Sequence, residues 1–179
     1  MRYDIIIIGG DDRDAELGIR LLESGKSCAL ICRGRISGDT SRELFRQRGG
    51  VLMMGDGVSK VEFEGNAVCC IYTQALRDTP LQAGAYVLCS GRFFTRGLLS
   101  DMDKVFEPVF GCDVKYDPDR SRWCAEDFYA KQPFESYGVV CGSDGKAVVN
   151  GQSISNLYVC GSILCDGQDK SEEVCKSIM

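Results

Sequence analysis

Apolar residues run unbroken from Ile5 to Ile8, between Tyr3-Asp4 and Gly9-Gly10. A continuous β-branched run of this length marks a strand buried on both faces, so Tyr3–Ile8 is predicted to be one. From Asp14 to Ser24 the period becomes helical. Ala15, Leu17, Gly18, Leu21 and Leu22 form one stripe, and Gly25 supplies a C-terminal stop. Ser27–Cys32 is a second buried run. Strand, helix and strand make a βαβ opening over residues 3–32, for which a right-handed crossover is expected.

The pattern continues in the same style. Ser41–Arg48 reads as a short helix ended by Gly49-Gly50, and Val51–Met54 as a third parallel strand. Val58–Phe63 and Val68–Thr73 flank Glu64-Gly65-Asn66-Ala67, which predicts an antiparallel hairpin. Ala85–Cys89 and Leu157–Cys160 are further buried strands, ending at Ser90-Gly91 and Gly161-Ser162. Residues 101–138 are irregular, with Pro108, Pro118 and Pro133, and read as a long excursion. A short helix is expected from Ser171.

Composition narrows the function classes. An apolar fraction of 44% is that of a globular protein, and 179 residues suffice for one domain with a core. A net charge of −5 argues against nucleic acid or an anionic membrane as the main partner. Arg33, Arg35, Arg42, Arg46 and Arg48 are interleaved with Asp39 and Glu43, which reads as a solvated helix face. No run approaches the roughly 18 apolar residues that span a bilayer, so no direct membrane insertion is expected. The N-terminus lacks a signal-peptide pattern, which gives a cytoplasmic expectation. The 11 cysteines are then expected to be reduced thiols, with Cys28, Cys32, Cys69, Cys89 and Cys160 inside apolar strands. The chain has no histidine and no Cys-x-x-Cys, so no metal site is expected.

The strand–turn–helix at the N-terminus is where dinucleotide folds keep a Gly-x-Gly-x-x-Gly turn. The six positions here read Gly9-Gly10-Asp11-Asp12-Arg13-Asp14, so only the first glycine stands in register. Two unit charges about 5 Å apart at an effective dielectric near 20 repel by about 3 kcal/mol, roughly a hundredfold in affinity. Asp11 and Asp14 therefore oppose a pyrophosphate, and they also suit the start of a helix. Arg13 offsets part of this charge. Ser90-Gly91 and Gly161-Ser162 follow buried strands, where open α/β sheets bind ligands. The same small residues also simply make tight turns. The candidate cofactor-binding residues are Gly9, Gly10, Ser90, Gly91, Gly161 and Ser162. Arg92 is either a phosphate ligand or an exposed turn residue. Trp123, Phe128, Tyr129 and Phe134 either pin the excursion to its own core or form a partner surface. No catalytic constellation is visible.

Several motifs carry a family resemblance. They include Tyr3–Gly10 with Gly18, Gly25–Ile31, Phe45-Arg46-Gln47-Arg48-Gly49-Gly50-Val51 and Gly55-Asp56. Leu88-Cys89-Ser90-Gly91-Arg92-Phe93-Phe94 with Gly97-Leu98 is more specific, as are Glu107-Pro108, Gly111–Val114, Trp123, Asp127-Phe128, Gln132-Pro133-Phe134 and Gly138-Val139. Ile154–Tyr158 and Cys160–Leu164 complete it. Over nearly its whole length the chain resembles the B subunits of anaerobic glycerol-3-phosphate dehydrogenase, a flavoprotein family.

The resemblance implies an α/β, Rossmann-like FAD/NAD(P)-binding fold, mostly parallel, with a small antiparallel hairpin layer. Residues 1–179 are read as one reduced domain. It implies FAD or FMN as cofactor, and oxidation of glycerol 3-phosphate to dihydroxyacetone phosphate with electrons passed to a respiratory acceptor. It implies the other subunits of that complex as partners, and a place at the inner face of the membrane through them. The family's substrate-side domain is absent, with Ile36–Glu43 in its place, and Cys165–Lys170 replaces a glycine-rich run. With Asp11 and Asp14, these departures make a non-catalytic remnant or scaffold subunit with impaired flavin binding the favoured expectation. The alternative is a functional flavin-binding electron-transfer subunit.

Overall fold

The computed structural model describes residues 1–34 and 39–179. In chain order the elements are β1 (Arg2–Ile8), α1 (Asp12–Glu23), β2 (Cys28–Cys32), α2 (Asp39–Gln47), β3 (Val51–Met54), β4 (Val58–Glu64), β5 (Ala67–Thr73) and β6 (Gln82–Leu88). Short strands follow: β7 (Leu99–Ser100), β8 (Val105–Phe106), β9 (Val114–Lys115) and β10 (Gly138–Val139). The chain then forms β11 (Lys146–Val149), β12 (Gln152–Val159) and α3 (Ser171–Ile178). Six strands make the main sheet in the order β11-β12-β6-β1-β2-β3. The neighbours from β12 to β3 are parallel, and β11 runs antiparallel to β12 at one edge. With helices on one face and a small antiparallel pair, β4 and β5, on the other, this is a Rossmann-like α/β fold.

The isoleucine run explains why β1 is central. Ile5 and Ile7 face the helical layer, among Leu17, Leu21, Phe45 and Val174. Ile6 and Ile8 face the other side, among Ile71, Leu81, Leu98, Phe110 and Val139. All four are buried, and each side chain contributes about 1.5–3 kcal/mol on transfer from water. Phe45 fixes the distance between α1 and α2. A Cβ added at Gly18 would lie 2.6 Å from its ring, and one at Gly50 would collide with the opposite edge. Phe45 is 0% exposed, so only hydrogen at those two positions leaves room for it.

Several local expectations shift. The first helix begins at Asp12 because Asp11 is its N-cap, two residues before the expected start at Asp14. The last long strand begins at Gln152, and β11 is additional. Their outer residues are polar enough to hide a strand from a hydrophobicity pattern. Cys69 is exposed, correcting its expected burial, because β5 turns Val68 and Cys70 inward and Cys69 outward. Cys28, Cys32, Cys89 and Cys160 are buried. Glu43, Arg46 and Arg48 are exposed on α2 and the turn after it, with Arg48 paired to Glu23 at 2.5 Å. Arg35 and the start of the Ile36–Glu43 link lie outside the described residues.

The excursion divides in two. Trp123 and Phe134 pack onto the core, with Trp123 edge-on to Tyr116 and Tyr137 and Phe134 edge-on to Phe93. Phe128 and Tyr129 are 85% and 93% exposed and pin nothing. Glu107 organises the segment before them. Its buried carboxylate accepts N–H groups from Val109, Phe110 and Cys112 at 2.7, 2.7 and 3.3 Å. No helix among the described residues is long and apolar enough to cross a membrane.

Candidate functional site

A cleft of about 440 Å³ opens at the C-terminal ends of the parallel strands, within the usual range for small-molecule sites. Gly9 and Gly10 form part of it at the end of β1, Ser90 and Gly91 after β6, and Ser162 after β12. Three turns far apart in the chain thus converge because their strands are neighbours in the sheet. Gly161 does not line the cleft. It adopts φ 77° and donates its N–H to Asp169 O at 2.7 Å, so it serves the turn that carries Ser162.

The turn after β1 is closed by its own side chains. Asp14 Oδ2 accepts the N–H of Gly10 at 2.6 Å and that of Asp11 at 3.0 Å. Asp11 Oδ1 accepts the N–H of Asp14 at 3.1 Å in return, a reciprocal capping box. Asp14 is only 5% exposed. Burial pushes its carboxyl up to about 7, the charge of Asp11 adds to the rise, and the two backbone hydrogen bonds oppose it. Oδ2 retains lone pairs whether or not Oδ1 carries a proton, so the N–H groups are held in both states. A Cβ at Gly9 would run into this carboxylate and lie 2.9 Å from Cys89 Sγ.

These are the groups a dinucleotide pyrophosphate needs. It binds bare N–H donors at a helix N-terminus and a close glycine backbone. Here the donors of Gly10 and Asp11 already have a carboxyl acceptor, and Asp11 stands exposed at the mouth. The residues present do not fit the pyrophosphate of FAD at this turn. The remainder of the groove is more permissive. Among the described residues Ser90 Oγ is buried without a hydrogen-bond partner, and the fully exposed Phe94 stands on the rim.

Arg92 takes neither expected role. Its guanidinium donates to Ser162 O at 2.6 Å, Leu164 O at 2.9 Å and Glu135 O, tying the turn after β6 to the turn after β12 and to the excursion. It shapes the cleft wall without offering a free face to a phosphate. Arg33, Asp56 and Arg96 line the cleft and were not among the residues expected from sequence. Asp56 is held by Gly57 N–H at 2.8 Å and Ala75 N–H at 3.0 Å, which connects β3 to the hairpin. A polar residue just past a parallel strand was the available signal for Arg33 and Asp56. Among the described residues no cluster of histidine, cysteine or carboxylate side chains is arranged to hold a metal ion.

The chain is similar to several known proteins. The family described as "FAD binding domain" matches residues 24–177. The B subunit of anaerobic glycerol-3-phosphate dehydrogenase from Actinobacillus succinogenes is 41% identical over 128 residues, covering 69% of this chain and 30% of that protein. The protein of the same name from Yersinia enterocolitica is 35% identical over 134 residues, covering 75% and 31%. The chain thus spans about 30% of the length of these curated relatives. Among solved structures, a thioredoxin reductase of Streptococcus pyogenes aligns with a TM-score of 0.41 at 18% identity, covering 50% of this chain and 35% of the other. The flavin-dependent brominase Bmp2 aligns at 0.44 and 14%, covering 51% and 39%.

Proposed function

This chain belongs to the FAD binding domain family, and from that premise we propose that it is a non-catalytic scaffold subunit whose pyrophosphate cradle is closed by its own carboxylate. The assembly would be of the glycerol-3-phosphate dehydrogenase type, with the partner subunits supplying redox chemistry and any attachment to the inner face of the membrane. The relatives named as B subunits of that dehydrogenase support the setting. One observation carries the non-catalytic part: Asp14 Oδ2 holds both N–H groups with which the turn would meet a phosphate. A carboxylate tethered in place has no translational entropy to lose, so a free anion competes with it at a disadvantage.

A second reading keeps the chain as a flavin-binding electron-transfer subunit. It draws on the groove itself, where Gly9, Gly10, Ser90, Gly91 and Ser162 still converge. In that reading these residues and the turn of Gly161 hold FAD or FMN. The absorption spectrum of the purified protein separates the two, followed by titration with FAD. The expected result is a colourless protein without the flavin band near about 450 nm, and no saturable FAD binding in the micromolar range. A yellow protein with stoichiometric flavin would establish the second reading instead.

A further inference from the structure

Three reactive groups meet beneath Gly9 that the cofactor question leaves unused. Cys89 follows β6 and Cys160 follows β12, each one residue beyond the paired Leu88 and Val159. The Cys160 N–H donates to Leu88 O at 3.1 Å, so the parallel ladder continues to this point. Neighbouring strands lie about 4.8 Å apart, inside the Cα separation that a disulfide spans. The register sets Cys160 beside Cys89, and the Cys89 sulfur and the Asp14 carboxyl both pack against the backbone of Gly9. A Cβ placed on Gly9 would crowd both Asp14 and Cys89, and only glycine there leaves room for the two side chains together. Cys89 lines the cleft and is 5% exposed, and Cys160 is 1% exposed beside it.

We propose that Cys89 and Cys160 form a peroxide-reactive dithiol, with Asp14 as the base that takes the Cys89 proton. Cys89 sulfur attacks one oxygen of hydrogen peroxide as its proton passes to Asp14. The O–O bond breaks, and the departing hydroxide takes that proton to leave as water. Cys160 sulfur then attacks the sulfur of the Cys89 sulfenic acid. The S–O bond breaks, and hydroxide leaves with the Cys160 proton as a second water. Two thiols lose two electrons, one peroxide gains them, and one disulfide results.

The base is needed because the Cys89 thiol is held well above its ordinary range. Its interaction with the Cys160 thiol is the leading cause, followed by burial and the charge of Asp14. A free thiolate is therefore scarce, and proton removal must accompany attack. Asp14 titrates near neutral pH, which suits it to that task. Among the described residues the titratable groups that act on it are Asp11 at the cap of its own helix, Cys89 after β6 and Cys32 at the end of β2.

The test treats the full chain with hydrogen peroxide, quenches with an alkylating reagent, and maps peptides without reduction. The expected product is a Cys89–Cys160 link with the loss of two hydrogens, assigned by fragmentation to exclude Cys165. Its rate should rise with pH and level off above about pH 7. Asp14→Asn should slow it at least tenfold at pH 7 and abolish the levelling. Cys160→Ser should leave a Cys89 sulfenic acid that dimedone traps. Recovery of both cysteines as alkylated thiols, while exposed Cys69 and Cys124 are oxidised, would overturn the proposal. If the substituted chains do not fold, the wild-type peptide map decides the link, and the wild-type pH profile decides the role of Asp14.

Discussion

The side chain of Asn156 pairs with the backbone of Val68 as a neighbouring strand would. Its Oδ1 accepts the Val68 N–H at 2.8 Å and its Nδ2 donates to Val68 O at 2.9 Å. One side chain thereby joins β12 of the main sheet to β5 of the small one, which no backbone ladder connects. Asn156→Ala leaves a partly buried donor and acceptor unpaired, and should cost about 1–3 kcal/mol. Urea unfolding should show a lower midpoint with an unchanged slope. Asn156→Asp keeps the acceptor but faces a carbonyl with a carboxylate, so it should lose at least as much once that carboxyl is ionised.

Asp14 sets a pH dependence of stability. Its folded value of about 7 lies above the ordinary 3.8 of an aspartate, so the folded chain binds this proton more tightly than the unfolded chain. The stability contributed by the protonated form is complete below about pH 4 and is lost as pH rises through about 7. The full effect is on the order of 4 kcal/mol from the relation between pKa and free energy. Asp14→Asn should flatten the stability profile across this window, measured by denaturant midpoints at fixed ionic strength.

Asp11→Gly with Asp14→Gly frees the amides of residues 10 and 11 and removes the carboxylate packed on Gly9. FAD affinity should rise by up to about a hundredfold, the equivalent of one charge pair of about 3 kcal/mol. The same double variant should be less stable without ligand, because the reciprocal cap is gone; such caps contribute about 0.5–2 kcal/mol. Calorimetry of FAD binding and thermal unfolding of the ligand-free protein check the two halves separately.

Arg92→Lys should behave almost as a deletion. An ammonium is a point donor and cannot span Ser162 O, Leu164 O and Glu135 O at once. A loss of about 2–3 kcal/mol is expected from hydrogen bonds to a charged group. Proteolysis should also increase between residues 124 and 137, where the excursion loses its tie to the cleft wall.

The fold was largely legible because its central strands declare themselves. The Ile5–Ile8 run, the helical stripe after Asp14 and the turns at Ser90-Gly91 and Gly161-Ser162 are local signals with few other readings. β11 and the polar half of β12 were not, since their strand character comes from pairing with one another at the sheet edge. The turn sequence showed that Asp11 and Asp14 break the glycine pattern. It did not show that Asp14 folds back onto Gly10 and Asp11, because that depends on the side chain's direction in the first helical turn. Arg92 was hidden for a related reason. Its three acceptors lie 43 to 72 residues away in sequence. Cys89 and Cys160 look like two unrelated core thiols until the strand order makes them neighbours.

The helix that begins at Asp12 carries its own counter-anion. A cofactor-dependent turn is satisfied only while the cofactor is present, so such proteins soften when their ligand is scarce. On the proposed scaffold reading this one has no such dependence, and its melting point should be the same in flavin-starved and flavin-replete cells. The same two amides cannot serve both masters, and a variant that frees them for a cofactor starts as a chain less secure in its own fold.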